Sequence, residues 1–191
     1  MLDIYRCKRI IAAKVLFDMI SLLMLEFGKK IMKVGIGIMS RKSEIELTSM
    51  CLIYDDERIL VQEKVGTKYE GGLVFPGGHV EDNESLKESV IREMKEETGL
   101  TIKNPQLCGI KDWIQEDGSR YIVILYKANE YEGEIQSSRE GRIFWLDRKD
   151  IPNAHLIWNM RELLEIFETD QYSEFFFKSD QDERPSRKNL L

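Results

Sequence analysis

Residues 78–100 constrain the fold of this chain more strongly than any other part of its sequence. A glycine-rich run, Pro76-Gly77-Gly78, leads into a helical pattern that we predict over residues 84–98. Apolar residues recur there at every fourth position, which is typical of a helix that buries one face. These positions are Leu86, Val90 and Met94. The pattern therefore predicts a helix that packs on a core and is entered from a glycine-rich loop.

Both ends of the predicted helix carry residues that favour a helix terminus. Asp82 or Asn83 offers a side-chain oxygen that can cap the first turn. Gly99 stands where the end of the helix needs a left-handed backbone conformation. We therefore expect a well-bounded helix whose exposed face holds its side chains in fixed positions.

Three carboxylates share that exposed face. Glu93, Glu96 and Glu97 stand at i, i+3 and i+4, so they project from one side of the helix. Like charges at this spacing repel unless a cation lies among them, and hard cations such as Mg²⁺ take oxygen ligands. The alternative is a solvated acidic face without a role. The glycine-rich loop beside the carboxylates and the packed apolar stripe opposite them favour a metal site.

The stretch is similar to the signature of the Nudix hydrolase family, Gly-x5-Glu-x7-Arg-Glu-U-x-Glu-Glu-x-Gly-U, in which U is a bulky apolar residue. Every position of the signature agrees. The matching residues are Gly78, Glu84, Arg92, Glu93, Met94, Glu96, Glu97, Gly99 and Leu100. The resemblance extends from about residue 44 to about residue 168 and does not include residues 1–38. It implies the α/β Nudix fold, in which a mixed β-sheet is sandwiched between helices.

The resemblance also implies hydrolysis of a nucleoside diphosphate linked to another group, with Mg²⁺ or Mn²⁺ as cofactor. It assigns the metal to the carbonyl of Gly77 and to the last three glutamates of the signature, Glu93, Glu96 and Glu97. Glu93 or a neighbouring glutamate would deprotonate the attacking water. This chemistry is reasonable because phosphate charge must be neutralised before hydroxide reaches phosphorus, and metal-bound water ionises more readily.

Further roles also come from the resemblance. Glu84 would pair with Arg92 and hold the helix in register, and Gly78 would lie against the substrate. Glu140 resembles an additional acidic ligand from a later loop, and a surface glutamate without a role is the alternative. Lys64 resembles a basic phosphate contact after the second strand, and a solvated lysine at a strand end is the alternative.

The flanking sequences favour one substrate class within the family. The stretches 75–81 and 101–105 look like those of bacterial MutT-type enzymes, the 8-oxo-dGTP diphosphatases, which release a nucleoside monophosphate and pyrophosphate. ADP-ribose hydrolases tend to carry a proline, and dinucleoside polyphosphate hydrolases a tyrosine, where this chain has Gln115-Glu116. The alternatives are hydrolysis of another nucleoside diphosphate derivative, removal of pyrophosphate from RNA 5′ ends, and a non-catalytic module that senses a nucleotide.

Asn159 and Trp158 are the candidate base-binding residues. In MutT-like enzymes an amide or carboxylate near the start of the last helix contacts the purine edge, and Asn159 resembles that residue. An amide offers both a donor and an acceptor, and Trp158 beside it can stack on a base. The alternative is that Asn159 caps the helix with its side chain.

The remaining elements follow from local patterns. Apolar runs at 45–54 and 59–61, separated by the turn Asp55-Asp56-Glu57, predict a β-hairpin. Further strands are predicted at 106–114, 121–127 and 142–146, and a second helix at 159–168.

Residues 1–38 differ from the domain that we predict over residues 39–178. They are apolar and basic, but the uncharged stretch after Asp18 ends at Leu25, far short of the roughly 20 residues that span a bilayer. We interpret them as a translation-start artefact before Met39, or as an amphipathic helix on a membrane or partner. Residues 179–191 are predicted to be a frayed polar tail.

Charge and cysteine content limit the partners and the compartment. The net charge of −6 argues against stable binding to a nucleic-acid backbone, and so disfavours RNA as the substrate. Cys7, Cys51 and Cys108 lie far apart, which fits neither a disulfide framework nor a zinc site and indicates a reducing cytoplasm. We therefore expect a cytoplasmic monomer or homodimer with no membrane span, whose partner is a small-molecule nucleotide.

Overall fold

The computed structural model describes residues 43–66, 71–177 and 190–191. Both interpretations of residues 1–38 lie outside the described residues, as does most of the predicted polar tail. In the part of the chain that is described, no helix has both the length and the apolar character needed to cross a lipid bilayer.

The described residues form ten β-strands, two α-helices and one 3-10 helix. The strands are β1 (Ile45–Ile53), β2 (Arg58–Lys64), β3 (Leu73–Val74), β4 (Gly77–His79), β5 (Thr101–Lys103), β6 (Gln106–Ile114), β7 (Arg120–Ala128), β8 (Glu130–Glu132), β9 (Gly141–Asp147) and β10 (Glu174–Phe177). The helices are α1 (Leu86–Thr98), α2 (Met160–Glu168) and the 3-10 helix (Arg148–Asn153).

A five-stranded mixed sheet forms the centre of the fold, with strand order β10-β6-β7-β1-β4. β1 pairs with β7 in parallel, as β6 does with β10, while β6–β7 and β1–β4 are antiparallel. A three-stranded antiparallel sheet has the order β3-β2-β9, and β5 pairs with β8. The predicted α/β fold with a mixed sheet is confirmed.

Two hydrophobic cores lie on opposite faces of the strands. In β1, Leu52 packs into one core while Cys51 and Ile53 pack into the other, because successive side chains of a strand point to opposite faces. Helix α2 fills the first core and helix α1 fills the second. The strands therefore read as continuous apolar runs, since both of their faces are buried.

The predicted hairpin between the first two strands is wrong. The turn itself forms, with the Arg58 N–H donating to Asp55 Oδ1 at 2.7 Å, and a bridge joins Tyr54 to Ile59. Beyond that bridge, β1 joins β7 in the five-stranded sheet and β2 joins β9 in the three-stranded sheet. Both strands are apolar on both faces, and a half-exposed hairpin would leave one of those faces in water. Each strand therefore joins a different sheet, in which both of its faces are covered.

The later strands match their predicted positions closely, and β6 covers the predicted residues 106–114. The short strands β4 and β10 were not predicted, because three or four residues carry little periodicity. At the end of the chain the fraying prediction does not hold for the last two residues. Leu190 is buried and bridges to Phe175, and the Leu191 N–H donates to the Glu174 carbonyl at 2.9 Å.

Candidate active site

Helix α1 begins at Leu86, two residues later than its sequence predicts. Ser85 is the N-cap, with its hydroxyl accepting from the Glu88 N–H while the Glu88 carboxylate accepts from the Ser85 N–H. The prediction of Asp82 or Asn83 as the cap is therefore wrong, because this reciprocal capping box satisfies two free N–H groups at once. Asn83 instead has a positive φ of 69° in the turn before the helix.

The buried stripe of α1 is shorter than predicted. Val90 and Met94 are fully buried, but Leu86 is 37% exposed because it is the first helical residue, next to the exposed segment before the helix. Gly99 ends the helix as predicted, with φ of 78° and its N–H donating to the Lys95 carbonyl at 3.1 Å. Helix α1 is thus capped at both ends and packed on the core through Val90 and Met94.

Arg92 holds the entering loop and the acidic face of α1 together. Its guanidinium donates to both carboxylate oxygens of Glu84, at 2.7 and 3.0 Å, and to the His79 carbonyl at 2.9 Å. A further N–H of the same group donates to Glu93 Oε1 at 2.7 Å. The structure thus brings Glu84 and Arg92 together in a bidentate pair, and the hydrogen bonds from Arg92 lower the pKa of Glu84 to about 2.

Glu93 differs from its neighbours by being buried, with 9% of its surface exposed. Burial raises its pKa, and the hydrogen bond from Arg92 opposes that rise. Directly beside it lies Gly78, where a Cβ atom would come within 2.2 Å of the Glu93 carboxylate. At Gly77 a Cβ would come within 2.2 Å of the Ser49 carbonyl on β1. Gly77 is therefore required by the backbone of β1, whereas a side chain at Gly78 would displace the Glu93 carboxylate from its position.

Glu97 is held by two residues that the sequence analysis missed. Gln62 Nε2 donates to Glu97 Oε2 at 2.5 Å, and the Ser138 hydroxyl donates to the same oxygen at 3.3 Å. Gln62 is almost completely buried. Its signal in the sequence is a lone amide that directly follows the apolar run 59–61.

Lys64 and Glu140 also lie at this acidic face. The Lys64 ammonium is 3.8 Å from a Glu140 carboxylate oxygen and 5.9 Å from the centre of the Trp158 ring. Both residues line the same cleft as Glu93, Glu96 and Glu97. The structure thus gathers the predicted acidic and basic candidates in one place.

The carboxylates suit a divalent cation in their chemistry, because hard cations take oxygen ligands. As they stand, however, no three acidic, histidine or cysteine side chains among the described residues converge on one point. The reason is that Glu93 is turned towards Arg92 and Glu97 towards Gln62. A cation would also relieve the desolvation of the buried Glu93 carboxylate, so the residues fit the metal that the family generally uses.

The cleft has a volume of about 1390 Å³ and continues from the carboxylates to an aromatic end. There Trp113 of β6 stacks between Tyr121 of β7 and Phe177 of β10, with ring centres 4.3 and 5.2 Å apart. The three rings occupy directly paired positions on adjacent strands. This stack could not be predicted from the sequence, because it depends on which strands are neighbours.

Trp158 and Asn159 form the rim of the aromatic end. Both have left-handed backbone conformations, with φ of 52° and 66°, and Trp158 is 41% exposed. Asn159 occupies the N-cap position of α2 but makes no capping hydrogen bond with its side chain. The alternative prediction, a side-chain cap, is therefore wrong, while both residues line the cleft as the substrate-binding prediction requires.

The NUDIX domain family matches residues 46–167. The chain is 37% identical over 114 residues to the uncharacterised Nudix hydrolase YvcI of Bacillus subtilis. This match covers 57% of the present chain and 70% of YvcI. The chain is also 30% identical over 92 residues to an ADP-ribose pyrophosphatase of Methanocaldococcus jannaschii, covering 48% of this chain and 54% of that protein.

Among solved structures, the chain is similar to the MutT protein of Bacillus halodurans, with a TM-score of 0.60 and 30% identity. This similarity covers 76% of the present chain and 94% of that one. The signature helix, the mixed sheet and these matches agree on one conclusion: the chain belongs to the Nudix hydrolase family of pyrophosphohydrolases.

Proposed function

We propose that the chain is a Mg²⁺-dependent nucleoside triphosphate pyrophosphohydrolase that acts on 8-oxo-dGTP and releases 8-oxo-dGMP and pyrophosphate. The observation that carries this proposal is the continuity of the cleft, which joins an acidic face to a stack of aromatic rings. A nucleotide has the same two-part chemistry, because it joins an anionic chain of phosphates to a flat base.

At the acidic end, Glu93, Glu96, Glu97 and the carbonyl of Gly77 would hold the metal, with Glu140 as a further candidate ligand. A divalent cation supplies charge neutralisation for the phosphates and makes a nearby water more acidic. Arg92 fixes Glu93 and the loop in place, and Lys64 provides a positive charge for the phosphate chain. Glu93 or a neighbouring glutamate accepts the proton of the attacking water.

At the aromatic end, Trp158 and Asn159 would receive the base. The Trp158 ring offers a stacking surface, which is worth about 1–3 kcal/mol per base in other proteins. The Asn159 amide is not committed to capping α2, so its donor and acceptor remain available for a purine edge. In this proposal the phosphates would lie towards the carboxylates and the base towards the aromatic rings of the same cleft.

ADP-ribose is the main competing substrate. The relative from M. jannaschii is an ADP-ribose pyrophosphatase, whereas the one from B. halodurans is a MutT protein. We favour the MutT-type reaction because Gln115-Glu116 stands where ADP-ribose hydrolases tend to carry a proline. We further expect the enzyme to act in the cytoplasm on free nucleotides, since Cys51 and Cys108 are free thiols.

The test is a substrate panel assayed with Mg²⁺, with Mn²⁺ and with excess chelator. The panel contains 8-oxo-dGTP, dGTP, ADP-ribose, a dinucleoside polyphosphate and RNA with a 5′-triphosphate. We expect the highest kcat/KM for 8-oxo-dGTP, pyrophosphate as the second product, rates that rise towards alkaline pH, and no turnover with chelator. A higher kcat/KM for ADP-ribose would overturn the proposed substrate, and full activity with chelator would overturn the metal.

Asn159 is tested separately by two variants that tolerate its left-handed backbone. Asn159→Asp keeps the shape but removes the donor, and Asn159→Gly removes the side chain without backbone strain. We expect both to fold normally and to lose discrimination between 8-oxo-dGTP and dGTP. An unchanged preference in both variants would show that another residue reads the base.

A further inference from the structure

Lys111 lies at the floor of the aromatic end, and no pattern in the sequence marks it as a functional cation. It projects from β6 with only 5% of its surface exposed, yet it is part of the lining of the cleft. A lysine is almost never this deeply buried without a partner. Its position therefore needs an explanation in terms of what it contacts.

One hydrogen bond accounts for part of that position. The Lys111 ammonium donates to the backbone carbonyl of Trp158 at 2.7 Å. It also lies 5.4 Å from the centre of the Trp113 ring and 5.8 Å from that of Phe177, so both rings partly offset its charge. Burial lowers the pKa of Lys111 to about 8, and the charge of Glu162 on α2 opposes that shift.

The contact also fixes the rim of the cleft. Trp158 has a positive φ, which is unusual for a bulky residue and is maintained only where surrounding contacts impose it. Lys111 supplies such a contact by binding the carbonyl of this residue. The Trp158 ring and the Asn159 amide are therefore positioned in part from below, by the buried ammonium.

An ammonium has three N–H donors and no acceptor. The Trp158 carbonyl takes one of them, and the rings of Trp113 and Phe177 offer no acceptor atom comparable to an oxygen. The remaining N–H donors of the ammonium can therefore be satisfied by a ligand atom that carries a lone pair. A base that presents a donor there would leave the ammonium without a partner, which is costly in a buried site.

We propose that Lys111 is a specificity-determining residue whose ammonium donates to a carbonyl oxygen on the ring of the bound base. The enzyme would then favour purines with an oxo group, such as guanine and hypoxanthine, over adenine, which carries an amino group. This inference rests on the proposed function for the placement of the base at the aromatic end. It adds a second base contact beside Asn159, from the floor of the cleft instead of its rim.

The test compares dITP with dATP, because hypoxanthine has an oxo group at C6 and N–H at N1, where adenine has an amino group and a lone pair. Lys111→Met removes the ammonium and keeps most of the chain length, and Lys111→Arg keeps a positive donor. We expect the wild-type preference for dITP over dATP to fall about tenfold or more in Lys111→Met, mainly through a higher KM for dITP. In Lys111→Arg we expect part of the preference to remain.

Lys64→Met is the matched control, because it removes the other lysine of the cleft from the acidic end. We expect it to raise KM for dITP and dATP by the same factor and so to leave their ratio unchanged. Thermal unfolding of all variants checks that they fold. Equilibrium binding of dIMP and dAMP provides the same comparison if turnover is too slow.

Failure of this inference can be distinguished from failure of the proposed function. If the wild type cleaves ADP-ribose and no triphosphate, the proposed function is wrong, and the comparison is repeated with ADP-ribose and inosine diphosphate ribose. If the oxo preference is the same in wild type and Lys111→Met for whichever pair is cleaved, Lys111 only supports the Trp158 turn and the inference is overturned.

Discussion

At the scale of single residues, the glutamates of the signature have different environments although their chemistry is identical. Glu84 is held by Arg92, Glu93 is buried beside Gly78, and Glu97 accepts from Gln62 and Ser138. Each environment implies a different response to removal of the charge. Two of these responses can be measured directly.

Replacing Glu97 by glutamine keeps its size and removes one charge. We expect kcat/KM to fall by about a hundredfold or more, because the proposed metal site loses a charged ligand, while stability changes little. Loss of the repulsion between Glu93 and Glu97, which stand at i and i+4, opposes any loss of stability from the substitution. Steady-state kinetics in Mg²⁺ and thermal unfolding measure the two effects. The exposed Glu57→Gln is the control, and activity of Glu97→Gln within about tenfold of wild type would contradict the metal assignment.

Glu84 predicts a pH dependence of stability. Its pKa in the folded protein is about 2, below the ordinary 4.5, so an unfolded chain binds a proton in this window that the folded chain does not. The contribution of Glu84 is therefore complete above pH 4.5 and is lost as the pH falls towards 2. We expect Glu84→Gln to melt below wild type at pH 7, with a gap that narrows from pH 4.5 to pH 3. A gap of constant size would contradict the ion pair with Arg92.

Some residues of the site could be predicted from the sequence, and others could not. The acidic residues could be predicted because their spacing on one helix places them together. Gln62, Ser138 and Lys111 could not, since each is an isolated polar residue that meets the site only through tertiary packing. A lysine in a strand is usually solvated, and nothing local distinguishes Lys111 from that common case.

At the scale of elements, helix α1 depends on a cap that differs from the predicted one. Ser85→Ala removes the side-chain half of the capping box, and we expect a loss of about 1 kcal/mol in the free energy of unfolding. Asp82→Ala is the matched control, because Asp82 is a plausible cap by sequence but lies outside the helix. Denaturant unfolding of both variants measures the difference. Equal losses in the two variants would contradict the assignment of the cap to Ser85.

The positions of the strands could be predicted from the sequence, but their partners could not. Their existence followed from apolar runs, and β6 matched its predicted range. Their partners did not follow, because β1 and β2 are consecutive in sequence but belong to different sheets. The pattern of a strand buried on both faces is the same whichever neighbour it has. The aromatic end of the cleft could not be predicted, because it forms from three strands whose order in the sheet is not visible in local sequence patterns.

At the scale of the whole molecule, burying Lys111 has a cost in stability. Lys111→Met relieves the desolvation of the ammonium but also removes the hydrogen bond to the Trp158 carbonyl. We expect the first effect to be larger, so that the free energy of unfolding of Lys111→Met is about 1–3 kcal/mol higher at pH 7. The folded pKa of about 8 lies below the ordinary 10.5, so wild-type stability rises with pH across that window. The advantage of Lys111→Met should therefore shrink between pH 8 and pH 10.5. Chemical denaturation at several pH values tests this, and a destabilised variant at pH 7 would contradict it.

The parallel pairing of β1 with β7 has a consequence for the order in which the protein folds. β6 and β7 are joined by a short turn and can pair early, whereas Ile45 reaches its partner Arg120 only after the intervening chain has been brought together. Contacts between residues far apart in sequence slow folding, because the loop between them must close first. Helix α1 and the glycine loop lie inside that loop. We therefore expect the strand pair that carries Trp113 and Tyr121 to form before the carboxylates reach it, so that the two ends of the cleft are built at different times and meet in a late step.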